Sequence, residues 1–458
     1  MSGRAIIVAA PRSGAGKTTV TMALISACRA RGIRVAAAKS GPDYIDPAFH
    51  AAASGEPCRN LDSWAMSPGL LDQGLSELVD LYELVIIEAA TGLFDGVAGE
   101  AGRAGAAADL AARYAIPVLL VLDISGQAQS AAAVARGFAT HDPAVRIAGV
   151  MLNRVGSERH RSYVAEAMDA ARIPVLGAVM RDPDIALPER HLGLVQAQEH
   201  AALDDHIAAL AGVAERSLDL NAIVALACEP VIGKTDNPRP ALPPPGQRIA
   251  VARDDAFSFI YPHLIDGWGR AGAKMSFFSP LADEPPPSDC DMCWLPGGYP
   301  ELHAAKLANA KGFLSGLRRF AEARPVHGEC GGFMVLGEML EDAKGGRHAM
   351  AGLLGHRTSF VDRKLHLGYR RAKLEADCAI GRAGTLIRGH EFHYTSVSHD
   401  DVDATFAHVS DGLGRPLGPA GGRRGRVTGS YFHAIAEDHD HQAMADTSPR
   451  TGTGCNGI

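Results

Sequence analysis

Five short runs in the first half of the chain, Ala5–Ala10 (AIIVAA), Ile33–Lys39 (IRVAAAK), Leu84–Ala89 (LVIIEA), Ile116–Asp123 (IPVLLVLD) and Ile147–Asn153 (IAGVMLN), are almost continuously apolar. A strand with one face in water alternates apolar and polar residues. A strand covered by helices on both faces does not alternate, because both sets of side chains are buried. The segments between the runs, such as Lys17–Arg31 and Gln127–Phe138, read as helices. This pattern predicts an α/β fold with a doubly wound parallel sheet. A chain of 458 residues exceeds one ordinary core. Residues 231–247 carry prolines at five positions, which remove backbone donors and stiffen the chain. The sequence therefore predicts a first domain over 1–230, a linker over 231–247 and a second α/β domain over 248–437. That second domain begins with the runs Arg248–Ala252, Cys293–Pro296 and Arg324–His327. Residues 438–458 are poor in apolar side chains and are expected to be disordered.

Composition excludes several classes of function. The net charge of −7 is dispersed, with no basic stripe to follow a phosphate backbone, so nucleic acid is not an expected partner. No run approaches the roughly 20 apolar residues of a membrane span. The short apolar run before Pro11 fits neither a signal peptide nor a transit peptide, and a cytoplasmic location is expected. The eight cysteines are accordingly read as thiols. Cys290 and Cys293 have CxxC spacing but no second pair, which favours a buried structural role over metal binding.

The first run leads through Pro11-Arg12-Ser13-Gly14-Ala15-Gly16-Lys17-Thr18 into a helical segment, the strand–loop–helix setting of a phosphate-binding loop. Glycines let backbone N–H groups close around phosphate, and the helix N-terminus adds partial positive charge. Ser13, Gly14, Ala15, Gly16, Lys17 and Thr18 are thus the candidate ATP site. Lys17 is expected on the β and γ phosphates and Thr18 on Mg²⁺. Pro11 stands where the common motif has its first glycine. Acidic residues at the carboxyl ends of the following strands, Asp43, Asp46, Glu88 and Asp95, are placed to serve the metal or a basic neighbour.

The runs KSGPDYIDPAFH (Lys39–His50), NLDSWAM (Asn60–Met66) and EAATGLFDG (Glu88–Gly96) resemble the cobyrinic or hydrogenobyrinic acid a,c-diamide synthase family. The resemblance extends through RIAVARDDAFSFIYPHL and FFSPLADE, roughly Ile6 to His433 in all. Ala89-Ala90-Thr91 departs from the family's usual Gly-Val-Met, while Glu88 and Asp95 at the ends of that motif are retained. It implies that Asp43, Tyr44, Glu88 and Asp95 lie near ATP, Mg²⁺ and the substrate carboxylate, with Thr18, Asp43 and Glu88 the candidate metal ligands.

In the second half, RPVHGECGGFMVLGEML reads as strand, sharp turn and helix, with Cys330 between Gly328-Glu329 and Gly331-Gly332. A nucleophile on such an elbow is exposed, and the helix N-terminus is expected to favour its thiolate. The G-x-C-x-G pattern resembles class I glutamine amidotransferases, which implies His433 of GSYFH as the base. Gly297 and Gly298 of WLPGGYPE, with Gly331, are the candidate oxyanion donors. Class I domains usually carry a Glu two residues after the histidine; here Ala434 and Ile435 follow, so a Cys–His dyad is expected. His390, Glu391 and His393 of RGHEFHYT lack helical metal-ligand spacing and are read as structural support or a domain contact.

Together the resemblances imply an ATP-driven ligase whose partners are ATP, L-glutamine and a corrinoid polycarboxylic acid, with Mg²⁺ as cofactor; a homodimer stays open. The a and c side-chain carboxylates would be phosphorylated and then attacked by glutamine-derived ammonia. The Ala- and Arg-rich composition points to a high-GC genome and the metal-free hydrogenobyrinate ring; cobyrinate and nickel sirohydrochlorin stay open. A P-loop switch protein would leave Cys330 unexplained, and a thiol hydrolase with an appended ATPase would leave GPDYIDP unexplained.

Overall fold

The computed structural model describes residues 2–185, 189–190, 193–194, 196–200, 202–233, 239–399 and 403–439. Part of the expected linker (234–238) and most of the expected tail (440–458) lie outside these residues. The chain forms two units, 1–241 with 259–271, and 242–258 with 272–458. Residues 259–271 fall inside the expected second domain yet pack with the first unit.

The first unit is built on a seven-stranded sheet, β1 (Arg4–Ala9), β2 (Val35–Ser40), β3 (Arg59–Leu61), β4 (Leu84–Glu88), β5 (Val118–Asp123), β6 (Ile147–Val155) and β7 (Val175–Met180), in the order β3-β2-β4-β1-β5-β6-β7. Every pairing is parallel. Ile6, Ile7, Val8, Val85, Ile86 and Leu120 are all at most 1% exposed, because helices cover both faces. Each such side chain contributes roughly 1.5–3 kcal/mol by leaving water. From β1 the chain first builds outward to β2 and β3, returns to β4, and then builds the other way through β5 to β7. The reversal opens a crevice at the carboxyl ends of the central strands, where open α/β sheets bind ligands. Helices α1 (Lys17–Ala30) and α2 (Ile45–Ser54) start at that edge.

The second unit holds five parallel strands, Lys274–Phe278, Arg248–Ala252, Met292–Leu295, Val326–Glu329 and Val427–Ser430, with Gly422–Arg424 antiparallel at the edge. Its core includes Leu295, Phe313, Leu317, Phe333 and Leu336, each at most 1% exposed. A second, antiparallel sheet runs Pro416–Ala420, Ala407–Asp411, Leu365–Leu374, Leu386–Tyr394 and His433–Glu437. Val427–Ser430 is the last parallel strand of one sheet and His433–Glu437 is the edge strand of the other, so Tyr431 and Phe432 span the corner between them.

Candidate active sites

β1 delivers the chain into the phosphate loop, where Gly14 and Gly16 adopt φ of 73° and 86°. A Cβ on Gly16 would lie 2.2 Å from Asn153 Nδ2, which instead donates to Ala15 O at 2.8 Å and ties the loop to the end of β6. Lys17 opens α1, is 5% exposed, and donates to Arg12 O at 3.5 Å. Burial pulls its ammonium pKa down, against the carboxylates of Glu88, Asp46 and Asp95.

Thr18 Oγ1 donates toward Glu88 Oε1 (3.0 Å) and Asp46 Oδ2 (3.2 Å). The fully buried Lys39, at the end of β2, reaches the same two carboxylates at 2.6 and 2.5 Å and Asp43 Oδ2 at 3.6 Å. His50, also fully buried, brings Nε2 within 2.7 Å of Glu88 Oε2. Burial opposes ionisation of Glu88, but Lys39 and then His50 outweigh it and hold the carboxyl well below its usual range. Asp43 is pushed up, first by burial and then by Asp46, although 27% of its side chain stays open.

Two expectations are modified here. Asp43 turns its Oδ1 onto Ile45 N–H (2.8 Å) at the start of α2, and among the described contacts Asp46, not Asp43, meets Thr18. Tyr44 stacks on Tyr261 (centroids 4.3 Å apart) and Phe259 (5.1 Å), so its ring serves an aromatic stack within this unit. Asp95 accepts from Gly92 N–H at 3.1 Å, which holds its turn, and remains within electrostatic reach of Lys17. Lys39 and His50 are functional candidates that residue patterning does not separate from the rest of KSGPDYIDPAFH.

The donor set around Thr18, one hydroxyl and two carboxylates, suits a hard cation. Mg²⁺ commonly uses one or two carboxylates and completes its octahedron with water and phosphate oxygens.

In the second unit Cys330 follows Val326–Glu329 directly, with φ of 44° and ψ of −102°. Its N–H donates to Ser430 O at 2.8 Å, and Gly332 N–H donates to Pro296 O at 3.0 Å, which pins the elbow against the Gly297-Gly298 turn. Glycine is required at several points of this contact. A Cβ on Gly331 would lie 3.0 Å from Gly298 N, one on Gly332 2.0 Å from Leu295 O, and one on Gly298 2.2 Å from Ala256 O. The thiol is only 3% exposed, with Sγ 4.0 Å from Phe392 O. Burial, then Glu301, pushes its pKa up, and the Gly331 N–H does not compensate. Burial thus works against the expected favouring of the thiolate by a helix N-terminus, and the helix Gly331–Leu336 spans only six residues.

His433 is 1% exposed and stacks on His390, centroids 4.9 Å apart. Burial, and then the neighbouring His390, holds its pKa well below the usual imidazole value. His393 stacks on Tyr431 at 3.9 Å and contacts Thr395 Oγ1 at 2.8 Å, consistent with supporting roles for the RGHEFHYT run. Sequence reasoning missed Glu329. This buried residue accepts from Ala434 N–H at 2.9 Å through Oε1 and places Oε2 3.9 Å from His433 Nδ1. Cys290 and Cys293 are buried free thiols.

Residues 6–195 match the CobQ/CobB/MinD/ParA nucleotide-binding domain, and residues 248–441 match the CobB/CobQ-like glutamine amidotransferase domain. A nucleotide-binding unit and a cysteine-elbow unit on one chain define a glutamine-dependent, amide-forming ligase. The chain is 58% identical to the hydrogenobyrinate a,c-diamide synthase of Mesorhizobium japonicum, over 95% of its own length and 99% of the relative's. It is 51% identical to the enzyme of the same name from Rhodobacter capsulatus, over 94% and 99%. It belongs to the hydrogenobyrinate a,c-diamide synthase family. Among solved structures, the cell-division ATPase MinD of Pyrococcus furiosus aligns with 47% of this chain and 99% of its own, at 22% identity and a TM-score of 0.28, a distant likeness.

Proposed function

We propose that this chain converts the a and c side-chain carboxylates of hydrogenobyrinate into carboxamides, with ATP as activator and L-glutamine as nitrogen donor. The observation that carries this reading is the pairing, in one chain, of the Cys330 elbow with a phosphate loop whose Thr18 faces Glu88 and Asp46. The near full-length identity to enzymes of that name supports the choice of ring.

An ionised carboxylate is a poor electrophile, so a carboxylate oxygen first takes the γ-phosphoryl group of ATP and ADP leaves. Ammonia then attacks the acyl carbon of the acyl phosphate, and inorganic phosphate departs. Backbone groups of Ser13, Gly14, Ala15 and Gly16 cradle the phosphates, and Lys17 neutralises charge on the transferring group. Mg²⁺, held by Thr18 and Glu88 with Asp46 beside them, supplies further charge neutralisation when bound. Asp43 keeps Lys39 and the start of α2 in place, Tyr44 steadies that loop, and Asp95 fixes the turn facing the substrate.

In the other unit His433 takes the Cys330 proton as sulfur attacks the glutamine carboxamide, and returns it to the departing ammonia. N–H groups of Gly297, Gly298 and Gly331 are assigned to the oxyanion. Water then releases glutamate from the thioester. The co-substrates fit a cytoplasmic enzyme, and no helix among the described residues is long and apolar enough to cross a membrane.

Mass analysis of the product tests the reading. Wild type should form the diamide from glutamine or ammonia, with ATP hydrolysis dependent on added hydrogenobyrinate. Cys330→Ala should form it from ammonia alone. ATP hydrolysis indifferent to the ring, or equal loss with both nitrogen sources in Cys330→Ala, would refute it.

A further inference from the structure

Thioester chemistry at Cys330 calls for a thiol, a base and oxyanion donors. The structure gathers charged groups there that serve none of those purposes. Sγ lies 4.0 Å from Phe392 O, which sets the thiol over the strand Leu386–Tyr394. Side chains alternate along a strand, so Glu391 and His393 share one face. That face turns toward the elbow, because His393 stacks at 3.9 Å on Tyr431, the neighbour of the Ser430 whose carbonyl holds Cys330 N–H. On the adjacent strand, Arg370 bonds Glu391 through Nε at 2.8 Å, with the two side chains 11% and 15% exposed. From the opposite side, a Cβ on Gly331 would lie 2.8 Å from Pro300 Cδ, which seats the turn bearing Glu301 against the same elbow.

Glu301 and Glu391 therefore act on a single thiol, alongside its chain neighbour Glu329, and Glu391 brings the Arg370 guanidinium with it. Carboxylates beside a nucleophilic sulfur disfavour its thiolate, and Glu301 and Glu391 do push this thiol up. Held at partial burial, they carry a desolvation penalty as well. An arrangement unfavourable to the nucleophile is explained if these charges recognise the ligand. The donor, L-glutamine, carries a cation and an anion on its α-carbon, two methylenes from the carboxamide that must meet sulfur.

We propose that Arg370, Glu391 and Glu301 form the subsite that reads the α-amino-acid end of glutamine, with the Arg370 guanidinium on the α-carboxylate and Glu301 on the α-ammonium. Glu391 aims the guanidinium and shares the ammonium charge. The subsite rests on the reading of Cys330 as nucleophile. It requires ammonia-dependent synthesis to be indifferent to these three side chains.

The test uses the full chain with ATP, Mg²⁺ and hydrogenobyrinate, and follows alkylation of Cys330 by intact mass. 6-Diazo-5-oxo-L-norleucine carries both α groups, and iodoacetamide carries neither. In Arg370→Gln and Glu301→Gln the second-order rate of labelling by the diazo reagent should fall about tenfold or more, the loss of one charged hydrogen bond. Labelling by iodoacetamide should stay within about twofold in Arg370→Gln and should not fall in Glu301→Gln, where a carboxylate that disfavours the thiolate is removed, and Arg370→Lys should recover part of the loss. Unchanged labelling by the diazo reagent in both variants, or an equal loss with both reagents, would overturn the subsite while leaving the nucleophile in place. Failure of the diazo reagent to label Cys330 in wild type would overturn the nucleophile reading and the subsite together.

Discussion

Cys330 holds a φ of 44° with a β-carbon attached, a conformation that costs a non-glycine residue about 1–3 kcal/mol and that glycine adopts freely. Among variants lacking the thiol, Cys330→Gly should therefore unfold at higher denaturant than Cys330→Ala, by about 1 kcal/mol. The reverse order would mean that the elbow is unstrained in solution. Glu329 is its neighbour, and burial pushes that carboxyl up from 4.5 to about 8. The folded chain then keeps a proton that the unfolded chain releases. The stability this provides is complete below pH 4.5 and is lost as pH rises through about 8. Glu329→Gln should remove that slope, so wild type should lose more thermal stability than the variant between about pH 5 and 8. Parallel profiles would show that Glu329 titrates normally. In the sequence, flanking glycines mark Cys330 as a candidate, and His433 is singled out only by the resemblance to class I glutamine amidotransferases. Glu329 is not, since only the register that pairs it with Ser430 brings it to the base.

The same limit appears among the elements. The five apolar runs match β1, β2, β4, β5 and β6 to within two residues at either end, because burial on both faces writes an unbroken pattern. β3 has only three residues, too few for any period to show. The antiparallel sheet is less legible still: Leu365–Leu374 exposes Leu365 and Leu367 while placing Arg370 in partial burial, which inverts the usual alternation. Within that sheet Gly389 is the critical position. A Cβ there would lie 1.9 Å from His433 O and 2.6 Å from the Phe432 ring, and a backbone oxygen cannot yield as a flexible side chain can. Gly389→Ala should drive the strand Leu386–Tyr394 off His433–Glu437, displace His433, the proposed base, and cut glutamine-dependent kcat about tenfold or more. Ammonia-dependent turnover should persist. Equal rates with both nitrogen sources would show that the two strands absorb the methyl group.

At the scale of the whole molecule, two chemistries share one chain, and the acid group at the edge of the parallel sheet belongs to only one of them. Glu88 faces Thr18 and Lys39 with one oxygen and His50 with the other, so Glu88→Gln removes a charge that three neighbours address. The buried Lys39 ammonium would keep Asp46 and Asp43, which limits the stability loss expected when one partner of a buried pair is removed. Activation of the substrate should suffer more than folding, because the proposed phosphoryl transfer develops its charge at this edge. We predict a fall in kcat of about 10² or more, and an equal one with ammonia and with glutamine, since both nitrogen sources consume the same acyl phosphate. Lys17→Ala should do the same. Alkylation of Cys330 by 6-diazo-5-oxo-L-norleucine should survive in both variants, which also shows that each chain is folded. Selective loss with glutamine alone would assign Glu88 to the thiol chemistry. Full turnover with either source would reduce it to the counterion of a buried lysine.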